Sequence, residues 1–345
     1  MSRKVKANII SITVSLLVTI LLTSLLLTVI GRNPIQIYSM LAGEVFGTGY
    51  GFGQALFKAT PLIICGCGLA LCFQASLFNI GAEGQLNVGA FVMSVIAYTF
   101  DDYLGLMVMP AAIAGGFAAS ALWGLIPAYL KIKRGVSEVI TTIMMNFIAL
   151  ALVNYLLIEF LAVKSTVRTE KIMEVAFIPK LSEYSSLFQG SSANVTFFFA
   201  ILLAILMYYV FYRTRFGYEI RSVGLNPVAS RYLGVRTNRV ILWSFLIGAG
   251  LTSFVGINFI FGYKGYYEFG FSNNLGFTSI AVTLLAKNNP IGIIFTALLF
   301  GVLDYGGLAV NTAVPKEIML VFQALVILSI LAVDKTVKIY YLKEE

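Results

Sequence analysis

The feature that most constrains this chain is the recurrence of apolar runs long enough to cross a lipid bilayer. A helix needs about 20 apolar residues to span the roughly 30 Å of membrane hydrocarbon. Ten runs can be traced, of which the third and eighth are short: 8–30, 57–74, 85–98, 106–130, 136–161, 195–212, 240–262, 276–286, 291–311 and 318–333. The sequence therefore predicts an all-α, polytopic integral membrane protein with about ten transmembrane or partly spanning helices.

The composition excludes a water-soluble fold. Apolar residues make up 59% of the 345 residues and charged residues only 12%, which is more apolar surface than a soluble domain can bury. The net charge of +8 does not indicate nucleic-acid binding, because the basic residues lie in short segments beside apolar runs. We expect one transmembrane domain over 1–345, multi-pass in the cell (cytoplasmic) membrane, with no nucleic-acid partner.

The distribution of basic residues predicts the orientation. If the N-terminus is inside, ten crossings return the C-terminus to the inside. The predicted inner segments then hold two thirds of the 24 lysines and arginines, as the positive-inside rule requires. No small-residue cleavage site follows the first run, so we expect it to be retained as a span. Both termini and a loop over 213–239 are predicted to be cytoplasmic, and 163–194 is predicted to be an external loop.

The 213–239 segment is strongly basic. It carries arginines at positions 213, 215, 221, 231, 236 and 239 against one acid, Glu219. Asn226 followed by Pro227 is typical of an N-cap and a first helical position, and Gly234 is typical of a helix end. A short capped helix on the inner face is therefore predicted. The alternative is a loop that serves only to hold the topology, although such a loop needs no capped helix.

Two polar, glycine-rich segments interrupt the apolar pattern. They cover 78–89 and 269–274, and each precedes a short helix at a comparable place in its half of the chain. Membrane helices can be broken only where protein or a wet cavity satisfies the freed backbone groups. The arrangement suggests an internal duplication with discontinuous helices, a feature of many transport pathways. Identity between the halves is faint, so unrelated halves stay an alternative.

Glu83 is the strongest polar candidate at membrane depth, where an uncompensated carboxylate costs on the order of 3 kcal/mol. It can contact a polar solute, or it can accept hydrogen bonds from backbone N–H groups exposed by the break. Thr141, Thr142 and Asn146 continue from Glu138 at helical spacing. They predict a polar stripe that faces either a pore or a neighbouring helix.

No catalytic or metal-binding constellation is present in the sequence. Cys65, Cys67 and Cys72 lie together in an apolar run, and the chain contains no histidine to complete a zinc site. There is no Gly-x-Ser-x-Gly motif and no Walker A loop. We expect no catalytic residues, no bound metal and no cofactor held by this chain.

Four segments carry a resemblance to a known family. They are 78–85, 136–146, 217–234 and 276–290, and they occur in order over roughly 40–330. Together they resemble the permease subunits of ABC importers for nucleosides and simple sugars, a family related to the ribose and branched-chain amino-acid permeases. The Asn-Ile-Gly-x-Glu-Gly-Gln segment that starts at Asn79 is most similar to the nucleoside branch.

The resemblance implies an ATP-driven importer that works by alternating access and a chain that does no chemistry itself. A separate ABC ATPase subunit would use ATP and Mg. The other implied partners are a second permease subunit, related but different, an extracellular or periplasmic nucleoside-binding lipoprotein, and membrane lipid. A coupling helix over 226–234 would dock in a groove of the ATPase.

The candidate residues follow from this resemblance and from the breaks. For ATPase coupling they are Arg221, Gly224, Asn226, Pro227, Val228, Arg231, Tyr232, Leu233 and Gly234. For the substrate pathway they are Asn79, Glu83, Gln85, Asn87, Thr142 and Asn146.

Two other classes of protein remain as alternatives. An ion-gradient-driven transporter of small polar solutes would need several intramembrane carboxylates, where the sequence offers one well-placed candidate, Glu83. A membrane enzyme acting on lipid-linked substrates would need paired acids or histidines at a membrane face, and the acids are scattered.

Overall fold

The computed structural model describes residues 3–173 and 176–342, and within them the chain is helical. The β structure in these ranges is limited to two isolated bridges, Arg168 with Glu268 and Lys180 with Asn194. The helices are α1 (Arg3–Val29), α2 (Pro34–Phe46), α3 (Gly49–Gln74), α4 (Ala82–Thr99), α5 (Asp101–Leu104), α6 (Val108–Arg134), α7 (Glu138–Leu156), α8 (Leu181–Tyr184), α9 (Thr196–Arg213), α10 (Arg215–Leu225), α11 (Pro227–Tyr232), α12 (Thr237–Thr252), α13 (Leu275–Leu285), α14 (Pro290–Ala309) and α15 (Lys316–Leu342).

Six helical segments in the described ranges are long and apolar enough to cross a membrane. They are Gly49–Gln74, Asp101–Arg134, Glu138–Leu161, Thr196–Arg213, Thr237–Lys264 and Pro290–Ala309. A seventh span results if α1 and α2, bent by 113°, count as one. The remaining predicted runs lie on α4, α13 and α15. The prediction of a polytopic, all-α membrane protein with full and partial spans is confirmed.

One helix was missed by the sequence analysis. α2 has 13 residues, too few for a span, and its sequence is interrupted by polar residues. Its local signals were nevertheless present. The side chain of Asn33 accepts hydrogen bonds from the N–H groups of Ile35 and Gln36, and Pro34 is the first helical residue.

The first break is shorter than predicted. The predicted break 78–89 overlaps the predicted run 85–98, and the chain is already helical from Ala82. The first turns of α4 contain polar residues that pack on other polar groups. The apolar pattern therefore did not mark where the helix starts. The second break covers 265–274 and includes the predicted 269–274.

The loops 163–194 and 213–239 lie at opposite ends of α3. A Cβ on Gly49 would lie 1.7 Å from the backbone oxygen of Leu187, and a Cβ on Gly224 would lie 2.0 Å from that of Gln74. Gly49 and Gln74 are the two ends of α3, whose 26 residues extend over about 39 Å. Helix α9 connects the two loops directly. They therefore lie on opposite sides of a membrane that these helices cross.

α3 and α12 pack against each other in antiparallel orientation. The thiol of Cys72 donates to the backbone oxygen of Ser244 at 3.3 Å. One turn earlier on α3 and one turn later on α12, a Cβ on Gly68 would lie 2.5 Å from the oxygen of Gly248. Small residues let the two backbones approach closely, which is how membrane helices commonly associate. The cysteines of α3 are buried packing residues in this interface and its surroundings.

The two halves of the chain exchange packing partners. α3 of the first half packs on α13 and α14 of the second, and α12 of the second half packs on α4 and α6 of the first. Since α3 and α12 run in opposite directions and each is followed by a break and a further helix, the packing is that of an inverted internal duplication. The structure favours the duplication over unrelated halves.

Candidate coupling surface and central polar network

Two short helices form the tip of the basic segment. Thr214 caps α10 by accepting the N–H of Gly217 on its hydroxyl oxygen at 3.1 Å. Asn226 caps α11, because its Oδ1 accepts the N–H groups of Val228 and Ala229, both at 3.0 Å. Pro227 is the first residue of α11, and Gly234 follows the helix with a φ of +83°. The predicted capped helix is present, and it ends at Tyr232.

This tip is fixed to the transmembrane bundle. Gly224 has no room for a side chain, since it faces the backbone oxygen of Gln74 at the end of α3. The hydroxyl of Ser76 donates to the oxygen of Gly224 at 2.6 Å. The hydroxyls of Ser222 on α10 and Ser230 on α11 are hydrogen-bonded at 2.8 Å. Gly224 therefore anchors the tip to the end of α3.

The tip presents large apolar side chains to its surroundings. Four of them are strongly exposed: Leu225 at 89%, Val228 at 63%, Tyr232 at 89% and Leu233 at 72%. We call this set the apolar knob. Three of the four were predicted as coupling residues. Leu225 was not among the predicted residues, although an apolar residue directly before an N-cap is a recognisable signal. A group this large on a polar, solvated segment is typical of a protein-binding site.

Six arginines lie in the segment that carries the apolar knob, and most of them have no acidic partner within the described part of the chain. Among the described ion pairs, the one that involves an arginine of this segment joins Arg215 to Glu219 at 2.9 Å. Arg221 lies over the ring of Tyr212 at 5.0 Å. Arg231 donates to the hydroxyl of Thr237 at 3.4 Å. The tip is thus an apolar centre with a basic rim, suited to a partner groove with acidic edges.

The two breaks meet at Glu83, inside the bundle. Glu83 lies in the first turn of α4 and is 3% exposed. Its Oε2 accepts the N–H of Gly276, in the first turn of α13, at 2.7 Å, and its Oε1 accepts the hydroxyl of Ser272 at 2.5 Å. The N-termini of α4 and α13 thus converge on one carboxylate, and both helix dipoles stabilise its charge. Glu83 does accept a freed backbone N–H, but the donor belongs to the helix that follows the second break.

Asn87 extends these contacts toward the second break. Its amide donates to the backbone oxygen of Glu83 at 2.7 Å and to Ser272 Oγ at 3.1 Å. The phenol of Tyr267 donates to Asn87 Oδ1 at 3.0 Å. Every polar atom of the Asn87 side chain is therefore used within the chain.

The first break is held by side-chain amides. Asn79 and Gln85 exchange two hydrogen bonds, at 3.0 and 3.2 Å. On α7, Thr142 accepts the N–H of Ile80 at 3.2 Å. Asn146 accepts the N–H of Gly84 and donates to the oxygen of Ile80, both at 2.8 Å. The polar stripe on α7 therefore contacts a neighbouring segment.

All six predicted pathway residues gather around the first break. Each is at most 3% exposed. Their hydrogen bonds are made with other parts of the same chain, which describes a structural network. Contact of any of them with a transported solute stays a prediction.

A second polar feature was missed by the sequence analysis. Lys58 on α3 and Asp304 on α14 form an ion pair at 3.0 Å within two membrane-spanning helices. They line a cavity with Ser272, Asn273 and Thr278 from the second break and α13. The signal that could have found them is a single charge inside each of the apolar runs 57–74 and 291–311.

The chain matches a known family over most of its length. The model of the family described as "Branched-chain amino acid transport system / permease component" matches residues 51–331. The chain belongs to this permease family. No solved structure matches it.

Three relatives of this permease cover most of its length. The nucleoside ABC transporter permease protein NupB of Lactococcus lactis subsp. cremoris (strain MG1363) is 33% identical over 89% of this chain and 86% of its own. The guanosine ABC transporter permease protein NupP of Bacillus subtilis (strain 168) is 35% identical over 88% of each. The glucose ABC transporter permease protein TsgB13 of Haloferax volcanii is 33% identical over 88% of this chain and 81% of its own.

Each of these three organisms also has a second, less similar permease. It is NupC in L. lactis, 29% identical, NupQ in B. subtilis, 28% identical, and TsgC13 in H. volcanii, 26% identical. In each organism the two permeases carry related names.

These findings assign the class of protein. The permease is the membrane-embedded, non-catalytic subunit of an ABC importer in the cell membrane, and ATP hydrolysis is carried out by a separate chain. The gradient-driven alternative is not favoured by its relatives.

Proposed function

We propose that this permease imports nucleosides, and that the apolar knob docks it on an ATPase subunit. The observation that carries the docking is the tip around the capped helix α11, which is anchored to α3 and exposes four large apolar side chains close to arginines that have no acidic partner among the described residues. The substrate is proposed from the relatives NupB and NupP, whose names state nucleoside and guanosine transport. Simple sugars are the second candidate, because the relative TsgB13 is a glucose permease.

The proposed mechanism is alternating access. Closure of the nucleotide sites in the ATPase moves the docked tip, and the contacts of Gly224 with the end of α3 transmit that movement to the bundle. Two permease subunits enclose the solute path between them. ATP and Mg are used by the ATPase alone, and no cofactor is held by the permease.

The proposed assembly contains three protein partners of this permease besides lipid. The second permease is a related, different chain, as the pairs NupB with NupC and NupP with NupQ suggest. An ABC ATPase binds at the 213–239 segment, which is cytoplasmic together with both termini. A nucleoside-binding lipoprotein delivers the solute at the external loop 163–194, on the opposite side of the membrane.

The hydrogen bonds and the ion pair made by the intramembrane acids favour ATP over an ion gradient as the energy source. Glu83 accepts a backbone N–H and a serine hydroxyl, and Asp304 is paired with Lys58. A gradient-driven carrier needs a carboxylate that is free to bind the coupling ion, and both of these already have partners within the chain.

The test is reconstitution in vesicles of this permease with its second permease, ATPase and binding protein. Guanosine, adenosine, uridine, ribose and glucose are compared for uptake and for stimulation of ATP hydrolysis. We expect ATP-dependent uptake of the nucleosides that persists when ion gradients are collapsed. Concentrative uptake by the permease alone would contradict the docking proposal, and uptake of glucose but not of nucleosides would contradict the proposed substrate.

A further inference from the structure

The second break leaves a polar turn exposed near the membrane centre. Asn273 and Asn274 are exposed, and both have a left-handed backbone, with φ of +44° and +64°. The adjoining cavity is also lined by Pro61 and Leu62, which lie at the middle of the 26-residue helix α3. Amide groups and irregular backbone at this depth cannot face lipid, because hydrocarbon offers no hydrogen-bond partners. This turn therefore faces protein or water.

The ion pair in the same cavity is also incompletely buried. The side chains of Lys58 and Asp304 are 33% and 40% exposed. A charge at this depth is costly when it faces hydrocarbon. The exposed parts of the pair must therefore meet water or polar groups as well. The cavity is further lined by Thr278 on α13 and by Gln323 on α15.

The polar network around the first break is buried, unlike the exposed turn and ion pair at the second break. Its six residues are at most 3% exposed and are hydrogen-bonded within the chain. A solute could reach them only if these bonds were broken. The groups at the second break can be reached without such a change.

We propose that Lys58, Asn273, Thr278 and Asp304 form a polar wall along which this permease contacts its solute. The second permease closes the path on the other side. The proposal rests on the proposed function and adds to it the residues that meet the solute. It shifts the pathway from the first break to the second.

The chemistry of the polar wall suits a neutral solute with several hydroxyl groups. Lys58 and Asp304 cancel in net charge, so neither an anion nor a cation is favoured, while ammonium donors and carboxylate oxygens can both bind hydroxyls. The rings of Phe259 and Phe271, 5.1 Å apart, line the same cavity and offer apolar faces to a planar ring. A nucleoside has both kinds of group.

The first experiment measures whether water reaches the polar wall. The three native cysteines are buried, so a single added thiol can be labelled without removing them. Thr278→Cys is compared with Leu206→Cys, whose position is 53% exposed on the apolar outer face of α9. A charged, membrane-impermeant thiol reagent is applied to the assembled transporter, with and without ATP.

We expect Thr278→Cys to be labelled, saturating guanosine to slow its labelling, and Leu206→Cys to stay unlabelled. If Thr278→Cys is as unreactive as Leu206→Cys in both nucleotide states, or if guanosine has no effect on its labelling, the polar wall is not the solute path.

The second experiment removes both charges together, so that no unpaired ion is left in the membrane. Lys58→Met with Asp304→Leu is compared with Lys131→Met with Glu138→Leu, which removes another interhelical pair, 2.6 Å long, outside the cavity. We expect the first double variant to assemble with its ATPase but to lose about tenfold or more of its guanosine uptake at low concentration. The control pair should keep wild-type uptake.

Uptake by Lys58→Met with Asp304→Leu at the wild-type rate would overturn the proposal. Failure of the proposed function gives a different result, because the wild-type assembly would then take up no nucleoside at all. In that case labelling of Thr278→Cys still decides whether this wall is open to water.

Discussion

Replacement of Leu233 by glutamate is the sharpest test of the apolar knob. Leu233 is 72% exposed, so docking in a groove can bury most of its side chain. Full burial of a leucine contributes about 2 to 3 kcal/mol, so this exposed share is worth roughly 1.5 to 2 kcal/mol. That loss alone weakens ATPase binding by roughly 10- to 30-fold at 1.4 kcal/mol per factor of ten. A buried carboxylate without a partner adds a further cost.

The assay is association of the purified permease pair with its ATPase in detergent, without the binding protein. Leu187→Glu is the matched control, because Leu187 is 60% exposed on the opposite end of the bundle. We expect Leu233→Glu to lose association at least tenfold and to abolish uptake, while Leu187→Glu binds the ATPase normally. Equal association of both variants with the ATPase would refute the docking of the apolar knob.

Three further predictions concern the helix ends and the breaks. Asn226→Ala removes the cap of α11 at a cost of about 1 kcal/mol, so ATPase affinity measured by titration should fall roughly fivefold, with Asn226→Ser close to wild type. Gly224→Ala places a Cβ 2.0 Å from the Gln74 oxygen and should lower ATP-coupled uptake, whereas Gly43→Ala, with open space around it, should not. Glu83→Ala leaves the N–H of Gly276 and the hydroxyl of Ser272 without their acceptor. It should destabilise the purified permease by about 3 kcal/mol, measured by thermal unfolding in detergent. An unchanged melting temperature would contradict the role of Glu83 in joining α4 to α13.

Features that are local in the chain were predictable from the sequence. The cap of α11 needs only Asn226, Pro227 and Gly234, which are neighbours along the chain, and the structure places all three as the pattern indicated. Apolar runs likewise identify helices without any knowledge of their partners. The exposure of Tyr232 and Leu233 agrees with their position at the end of a short helix in a basic segment.

Features that depend on distant parts of the chain could not be predicted in this way. The polar residues near Glu83 were recognised as unusual, but whether they face a solute or each other depends on where α13 and α7 pack. Lys58 and Asp304 are 246 positions apart, and each alone is a minor exception in an apolar run. These two charges come together only because α3 of the first half packs on α14 of the second half.

The shared carboxylate at the breaks has a mechanical consequence. Because Glu83 joins the start of α4 to the start of α13, its hydrogen bonds oppose sliding of one inverted half past the other near the centre of the bilayer. In the proposed mechanism, each permease then moves as one body when the ATPase moves its tip. Opening and closing are then expected between the two permease subunits, along the surface that carries the exposed asparagine turn, and not within either subunit.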